Sequence, residues 1–490
     1  MSSTADQPRL ISATMRGALY VGEFVPAARA VDVTEKATGA VLFSAAIATA
    51  AEVSRVARVA LDAQAAWAAM PSVARGDVLR RFAALCESHA AEIGEWIVRE
   101  TGSIPPKATF EIMTSAREAT EVAGYTAQPA GFILASPADR PSYARRVPLG
   151  VVAAITPWNS PFVLAARAAL PALAMGNAVV LKPDVQTPVS GGYLLAKLFE
   201  LAGMPKGVFC VVPGDAETGE ALTKDANVAM VSFTGSTVAG RKVATAAAQT
   251  LKKVALELGG NNAAIIFEDA DIDRMVSAAS FGSFFHQGQI CFTTGRHLVH
   301  ESVADRYAEA LASHARNLHV GDPHTAQVHL GPMINERQAA RAEKLLRDTV
   351  AAGATVIAGG NRSGLFFEPT VVSNVSRDMP LFREETFGPI APITTFSTEA
   401  EAVELANDSE YGLVASIYGA DQARSMRVAS RLKTGIVHIN DQTVVHEVYG
   451  PIGGMGASGN GARSGGPSAM DEFSQWQWVT VGTDVPQYPF

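Results

Sequence analysis

Apolar residues recur three and four apart through residues 46–100. Val53, Val56, Val59, Ala60 and Ala63 in AEVSRVARVALDAQAAW are an example, and this spacing predicts amphipathic helices. After about residue 147 the pattern changes. Short apolar runs (VPLGVVAAI, NAVVLK, VFCVV, AMVSF, KKVALE and NAAIIF) alternate with helical stretches. Several runs are rich in Val and Ile on both faces, which predicts buried parallel strands. One intervening helix is expected to start at Thr187–Pro188, an N-cap residue followed by proline in the first turn. Such alternation predicts a doubly wound α/β domain with crossover helices.

A second α/β series starts near residue 260. A helix over 271–287 leads to Cys291, then come RHLVH, a helix over 302–317, ATVIAG, PITTF, VASIYG and GIVHIN. Two stretches fit neither series. Residues 125–147 form a polar, β-like excursion, and the last fifteen, WQWVTVGTDVPQYPF, hold a lone strand and a tail. A lone strand must pair with something, so these two segments are expected to share one small sheet, extended by another subunit.

The length of 490 residues suits about three domains. Hydrophobic residues at 48% and charged residues at 18% rule out a disordered or fibrous chain. The net charge of −8, without a long basic run, argues against nucleic acid as a partner. Met1 to Ile11 is polar and does not resemble a secretory signal. No apolar run approaches the ~20 residues of a membrane span. Three cysteines, Cys86, Cys210 and Cys291, are too few for a disulfide framework and lack zinc spacing. A reducing cytoplasm and no metal are the expectation.

Several residues are candidates for chemistry. Cys291, in FFHQGQICFTTGR, lies in a polar turn after a helix, where a thiol is either a nucleophile or a half-buried packing residue. Cys210 inside VFCVV and Cys86 on a helical pattern read as core. Glu257 closes the strand-like VALE before two glycines, suiting a general base or a solvated turn. Trp158–Asn159 follow GVVAAITP, where the amide either donates to an oxyanion or makes an Asx-turn. Lys182 closes VVLK, as a ribose or phosphate contact or a surface lysine. Ser232 to Gly240 run from a strand through Gly235 into a helix start, which offers N–H groups to phosphate without matching GxGxxG. Glu384, Glu385, Phe387 and Gly388 form EETFGP, a ribose-binding block or a surface turn.

Taken in order, PWN, KP, FTGS, LELGG, GQxC and EETFGP resemble the motif set of the aldehyde dehydrogenase superfamily over about residues 17–485. NDSEYGL, with Asn407 and Gly412, and PIGGMGASGNG strengthen the likeness. HQGQICFTTGRHLV, KPDVQTPVSGG and RETGSIPPKATFEI look most like bacterial benzaldehyde and related aromatic aldehyde dehydrogenases. The resemblance implies a Rossmann-like cofactor domain (1–124 and 147–257), an α/β catalytic domain (258–464) and a small β oligomerisation arm (125–146 and 475–490). It implies a homodimer or homotetramer that acts on a small aldehyde and binds NAD, with NADP possible.

By the same resemblance Cys291 is the nucleophile, Asn159 the oxyanion donor and Glu257 the deacylation base. Ile155, Thr156, Pro157, Trp158, Asn159, Lys182, Asp184, Val185, Gly214, Phe233, Thr234, Gly235, Ser236, Glu257, Leu258, Gly259, Glu385 and Phe387 would line the cofactor. Phe162, Arg167, Phe285, Ile290, His446 and Ile452 would line the substrate pocket. Two positions depart from the family pattern. Val185 stands where many NAD-preferring members carry a ribose-binding Glu, and Ile452 where many carry an aromatic residue. Arg167 and His446 keep a semialdehyde, with its distal carboxylate, as the alternative substrate. Retention of Glu257 speaks against a coenzyme-A-acylating enzyme. Retention of Cys291, Glu257 and Asn159 together speaks against a non-catalytic structural protein.

Overall fold

The computed structural model describes residues 9–137 and 140–490. The first eight residues of the polar start, and residues 138–139 of the segment 125–146, lie outside the described residues.

Two large sheets form the body among the described residues. In the first, strands Lys253–Glu257, Met230–Thr234, Val151–Ile155, Ala178–Lys182 and Phe209–Val211 lie side by side in that order, all parallel. An antiparallel hairpin, Ala18–Tyr20 with Phe24–Pro26, closes one edge. Alternation across the pleat builds two cores. Val151, Ala153, Ala178 and Val180 pack on Val53, Val56, Ala57 and Ala60 of helix Ala50–Ala69. Val152, Ala154, Val179 and Leu181 face the other way, onto Leu170 and Leu173 of helix Pro161–Ala174. Strands buried on both faces have no polar positions to alternate, which is why their sequence reads as unbroken apolar runs.

The second sheet orders Thr370–Ser373, Ile390–Phe396, Thr294–His300, Asn262–Ile266, Val414–Tyr418 and Ile436–Ile439 in parallel, with Thr355–Ala358 antiparallel at one edge. Strand Ser474–Thr480 pairs antiparallel with Ser142–Pro148, which pairs in turn with Gly131–Ile133. This ribbon leaves Ile133 at 94% and Trp478 at 72% exposure. Among the described residues no helix is long and apolar enough to cross a membrane.

Three expected helices differ in detail. The one expected over 302–317 is a 3-10 turn, Glu301–Val303, followed by the α-helix Ala304–Arg316. The one expected over 271–287 ends at Phe284. The one expected from Thr187–Pro188 opens with a π-helical turn, Val189–Tyr193, before the α-helix Leu194–Leu201. Thr187 does not cap it, since its buried hydroxyl has no partner. The cap comes from another element. The carboxylate of Glu100, at the end of helix Ala90–Thr101, accepts from the Val189 N–H (3.1 Å), the Ser190 N–H (2.7 Å) and the Ser190 hydroxyl. Burial pushes the Glu100 carboxyl up to about 7, against the pull of these donors.

Replacing Glu100 with Ala strands two buried N–H groups and a hydroxyl. Glu100→Ala is expected to destabilise the protein by about 2–4 kcal/mol, read by urea unfolding. A loss under about 0.5 kcal/mol would show that the carboxylate is not the cap.

Candidate active site

The parallel strands of the first sheet end along one edge, at Ile155, Lys182, Val211, Thr234 and Glu257. Strand order reverses between Val151–Ile155 and Met230–Thr234, so a crevice opens there, as at the switch point of any open α/β sheet. Thr156 to Asn159, Asp184–Val185, Gly214, Gly235–Ser236 and Leu258–Gly259 all follow these strand ends. Backbone bonds tie the edge together, from Thr156 N–H to the Lys182 carbonyl (3.1 Å) and from Gly235 N–H to the Glu257 carbonyl (3.0 Å).

This edge fits a dinucleotide. Lys182 is buried, and burial depresses its pKa although Asp184 and Asp215 pull the other way. Its ammonium has no hydrogen-bond partner among the described residues, so an anionic or hydroxyl-rich ligand would satisfy it. Asp184 Oδ1 is engaged with its own turn, accepting from Gln186 N–H at 2.9 Å. The helix Thr237–Ala248 starts directly after Gly235 with Ser236 as its N-cap, whose hydroxyl accepts from the Ala239 N–H. A Cβ on Gly235 would stand 2.6 Å from the tip of the Phe233 ring, so any larger residue there would have to displace that ring. Phe387 (φ 51°) comes from the second sheet's side and meets Trp158 edge-on, ring centres 5.4 Å apart.

The thiol sits on a tightly anchored loop. After helix Ile272–Phe284 the chain takes left-handed conformations at His286, Gln287 and Gly288 (φ 51°, 57° and 66°), which is why the helix stops short. Gln287 Nε2 donates to the carbonyls of Gly102 (3.0 Å) and Pro332 (2.7 Å), and Gln289 Oε1 accepts from Ile334 N–H (3.0 Å). Asn262 Nδ2 donates to the carbonyls of Cys291 and Thr293, both at 2.7 Å, while its Oδ1 accepts from Val414 N–H.

Cys291 is half-buried against an apolar cluster that contains Phe285, Ile290, Phe292, Val444 and Ile452. Burial pushes its thiol up to about 12. Arg167 works against that rise, while Glu385 and Glu257 reinforce it. Glu257 is pushed up to about 8 by burial, opposed by Arg167 and Arg463, and its Oε1 is buried without a partner. Glu385 rises to about 7 by burial, though its Oε1 accepts from Gly260 N–H at 2.9 Å. A Cβ at Gly259 would collide with the Glu385 carboxylate. Cys291, Glu257, Glu385 and Arg167 thus share one electrostatic neighbourhood. Asn159 is buried, its backbone flanked by the ring of His286.

The two other cysteines, Cys86 and Cys210, are fully buried in the core. Among the expected pocket residues, Phe162 lies on the first turn of helix Pro161–Ala174 and is fully buried in the core cluster of the first sheet. Arg167 donates through Nη2 to the His446 ring, and His446 meets Phe110 edge-on at 6.0 Å. Phe281 stacks on Phe285 at 4.4 Å. Among the described residues Arg167 has no carboxylate within salt-bridge distance, and no cluster of His, Cys, Asp and Glu could hold a metal. Sequence reasoning missed Asn262, Gln287, Lys107 and Glu111. The available signal for Asn262 was its place as the second asparagine after LELGG.

The pattern of the aldehyde dehydrogenase family matches residues 24–479. The chain belongs to the aldehyde dehydrogenase family. It is 49% identical over 459 residues to a vanillin dehydrogenase of an Amycolatopsis species, covering 94% of each chain. It is 45% identical over 492 residues to an NAD(+) benzaldehyde dehydrogenase of Pseudomonas putida, covering 100% of both. A betaine aldehyde dehydrogenase from Staphylococcus aureus, solved in complex with NAD+, superposes with a TM-score of 0.94 at 32% identity, covering 97% of this chain and 96% of that one.

In this aldehyde dehydrogenase Arg167 is the cation that favours the Cys291 thiolate. Removing it raises the thiol further and leaves less thiolate at any pH below the pKa. Arg167→Leu is therefore expected to slow iodoacetamide alkylation of Cys291 about threefold to tenfold at pH 8. An unchanged or faster rate would contradict this.

Proposed function

We propose that this enzyme oxidises aromatic aldehydes to carboxylic acids, with NAD as the preferred cofactor and NADP accepted. The observation that carries the substrate class is the wall around the thiol. Phe285, Ile290 and Ile452 pack with Cys291, and Phe281 extends the wall by stacking on Phe285. A flat apolar ring suits such a surface. The vanillin and benzaldehyde dehydrogenases among its relatives support the same class.

Cys291 gives its proton to water, and its thiolate sulfur attacks the carbonyl carbon. A C–S bond forms and the carbonyl electrons move onto oxygen. The side-chain amide of Asn159 and the backbone N–H of Cys291 hold that oxyanion. Bound nicotinamide supplies the hydride acceptor that turns the adduct into a thioester. Glu257, ionised, then takes a proton from water as the water oxygen attacks the acyl carbon, and the thiolate leaves with the acid released. With its carboxyl held near 8, Glu257 gains basic strength from burial while staying partly ionised at neutral pH.

Ile155, Thr156, Pro157 and Trp158 would flank the cofactor, and Lys182 would meet the adenosine ribose. Gly214, Phe233, Thr234, Gly235 and Ser236 would face the diphosphate, and Leu258, Gly259, Glu385 and Phe387 the nicotinamide half. Val185 is half-exposed and uncharged, so it neither rejects nor attracts a 2′-phosphate.

Residues 1–124 with 147–257 serve as the cofactor domain, 258–464 as the catalytic domain, and 125–146 with 475–490 as the arm. The arm's bare edge, with Ile133, Trp476 and Trp478 exposed, supports assembly into a homodimer or homotetramer in the cytoplasm. A second reading rests on Arg167, whose lack of a carboxylate partner would suit a semialdehyde's distal carboxylate.

The test is a kcat/KM survey with NAD. Benzaldehyde and vanillin are expected to exceed succinic semialdehyde by about tenfold or more, and Cys291→Ala to keep NAD binding with turnover under about a hundredth of wild type. A preference for succinic semialdehyde would favour the second reading.

A further inference from the structure

Helix Pro105–Tyr125 carries an ion pair that the reaction above does not use. Lys107 is 1% exposed and Glu111 0%, four residues apart on one face. Lys107 Nζ donates to Glu111 Oε1 and also to the backbone carbonyl of Asn159, at 2.7 Å. The second carboxylate oxygen of Glu111 accepts from the N–H groups of Phe162 (3.0 Å) and Val163 (3.2 Å). These are first-turn donors of helix Pro161–Ala174, and Ser160 before them provides no side-chain cap. The pair therefore grips the chain on both sides of Ser160. The ammonium fixes the peptide of Asn159, and the carboxylate fixes the helix that follows it.

Burying two charges is costly and is repaid only where geometry is good and the remaining donors and acceptors are used. Here both carboxylate oxygens are used, and the ammonium has a second acceptor. His286, fully buried, lies against the same Asn159 backbone, but neither ring nitrogen makes a full hydrogen bond, so the Lys107 ammonium is the donor that holds the Asn159 carbonyl. A solvent-exposed Lys–Glu pair at this spacing would fix nothing beyond its own helix. This one reaches across to another segment and ends on the backbone of Asn159, the proposed oxyanion donor.

We infer that Lys107 and Glu111 are positioning residues that aim the Asn159 amide at the oxyanion formed on Cys291. The inference rests on the reading of Asn159 as the oxyanion donor. Oxyanion stabilisation is sensitive to small displacements of the donor, so a fixed backbone is a kinetic requirement.

A double-mutant cycle on the full-length enzyme separates the two ideas. The readout is the single-turnover rate of NADH formation with benzaldehyde, alongside the NAD dissociation constant. Asn159→Ala is expected to lower that rate about 100-fold to 1,000-fold. Lys107→Met is expected to lower it about tenfold or more, with NAD affinity within about threefold of wild type. In the Asn159→Ala background Lys107→Met should cost less than about threefold further, because its effect acts through an amide already gone. Independent, multiplying losses would overturn the positioning role. An Asn159→Ala enzyme with an unchanged rate would instead overturn the reading of Asn159. If Lys107→Met does not fold, Glu111→Gln takes its place in the same cycle. It should show a loss in the same direction that also vanishes without Asn159, and a loss that persists counts against the inference.

Discussion

The side-chain amide of Asn262 is the tie on which the site depends. One nitrogen holds the carbonyls of both Cys291 and Thr293, and the oxygen accepts from Val414. Asn262 begins an interior strand of the second sheet, five residues after Glu257 ends the edge strand of the first. Glu257 and the Cys291 turn are thereby fixed to the two ends of one short, glycine-containing connection. Within the left-handed run at His286–Gly288, the His286 carbonyl accepts from the Gln289 N–H (3.0 Å) and the Gly288 carbonyl from the Thr293 hydroxyl (3.1 Å), while Gln287 and Gln289 tie the run to Gly102, Pro332 and Ile334.

Closure of that junction sets the electrostatics. Burial raises Cys291, Glu257 and Glu385 together, because three ionisable acids share one desolvated space. Arg167 is the cation that opposes the rise at both Cys291 and Glu257. In the proposed mechanism this balance has a use. A base with a raised pKa abstracts a proton from water more readily than an ordinary carboxylate does, and the charge is not neutralised by a fixed ion pair.

Much of this was legible along the chain. Unbroken apolar runs such as VVAAI and AVVLK identify strands buried on both faces, and Glu257 or Asn159 beyond such a run stands at a strand's C-terminal edge. The aldehyde dehydrogenase family and its aromatic-aldehyde relatives were legible in the motif order. What escaped was set by partners distant in sequence. Thr187 looks like a cap, but Glu100, almost ninety residues earlier, takes the N–H groups. Lys107 and Glu111 have the spacing of an exposed pair, and only tertiary packing shows that they are buried beneath Asn159.

The central claim is that a buried carboxylate and a half-buried thiol, brought together at the meeting of two sheets, divide one oxidation into acylation and hydrolysis. Rapid-quench mass spectrometry of Glu257→Gln, mixed with benzaldehyde and NAD, tests it most directly. The account predicts one burst of NADH per site and an acyl adduct on Cys291 that persists while turnover stalls. Loss of the burst together with turnover, and no adduct on Cys291, would contradict it.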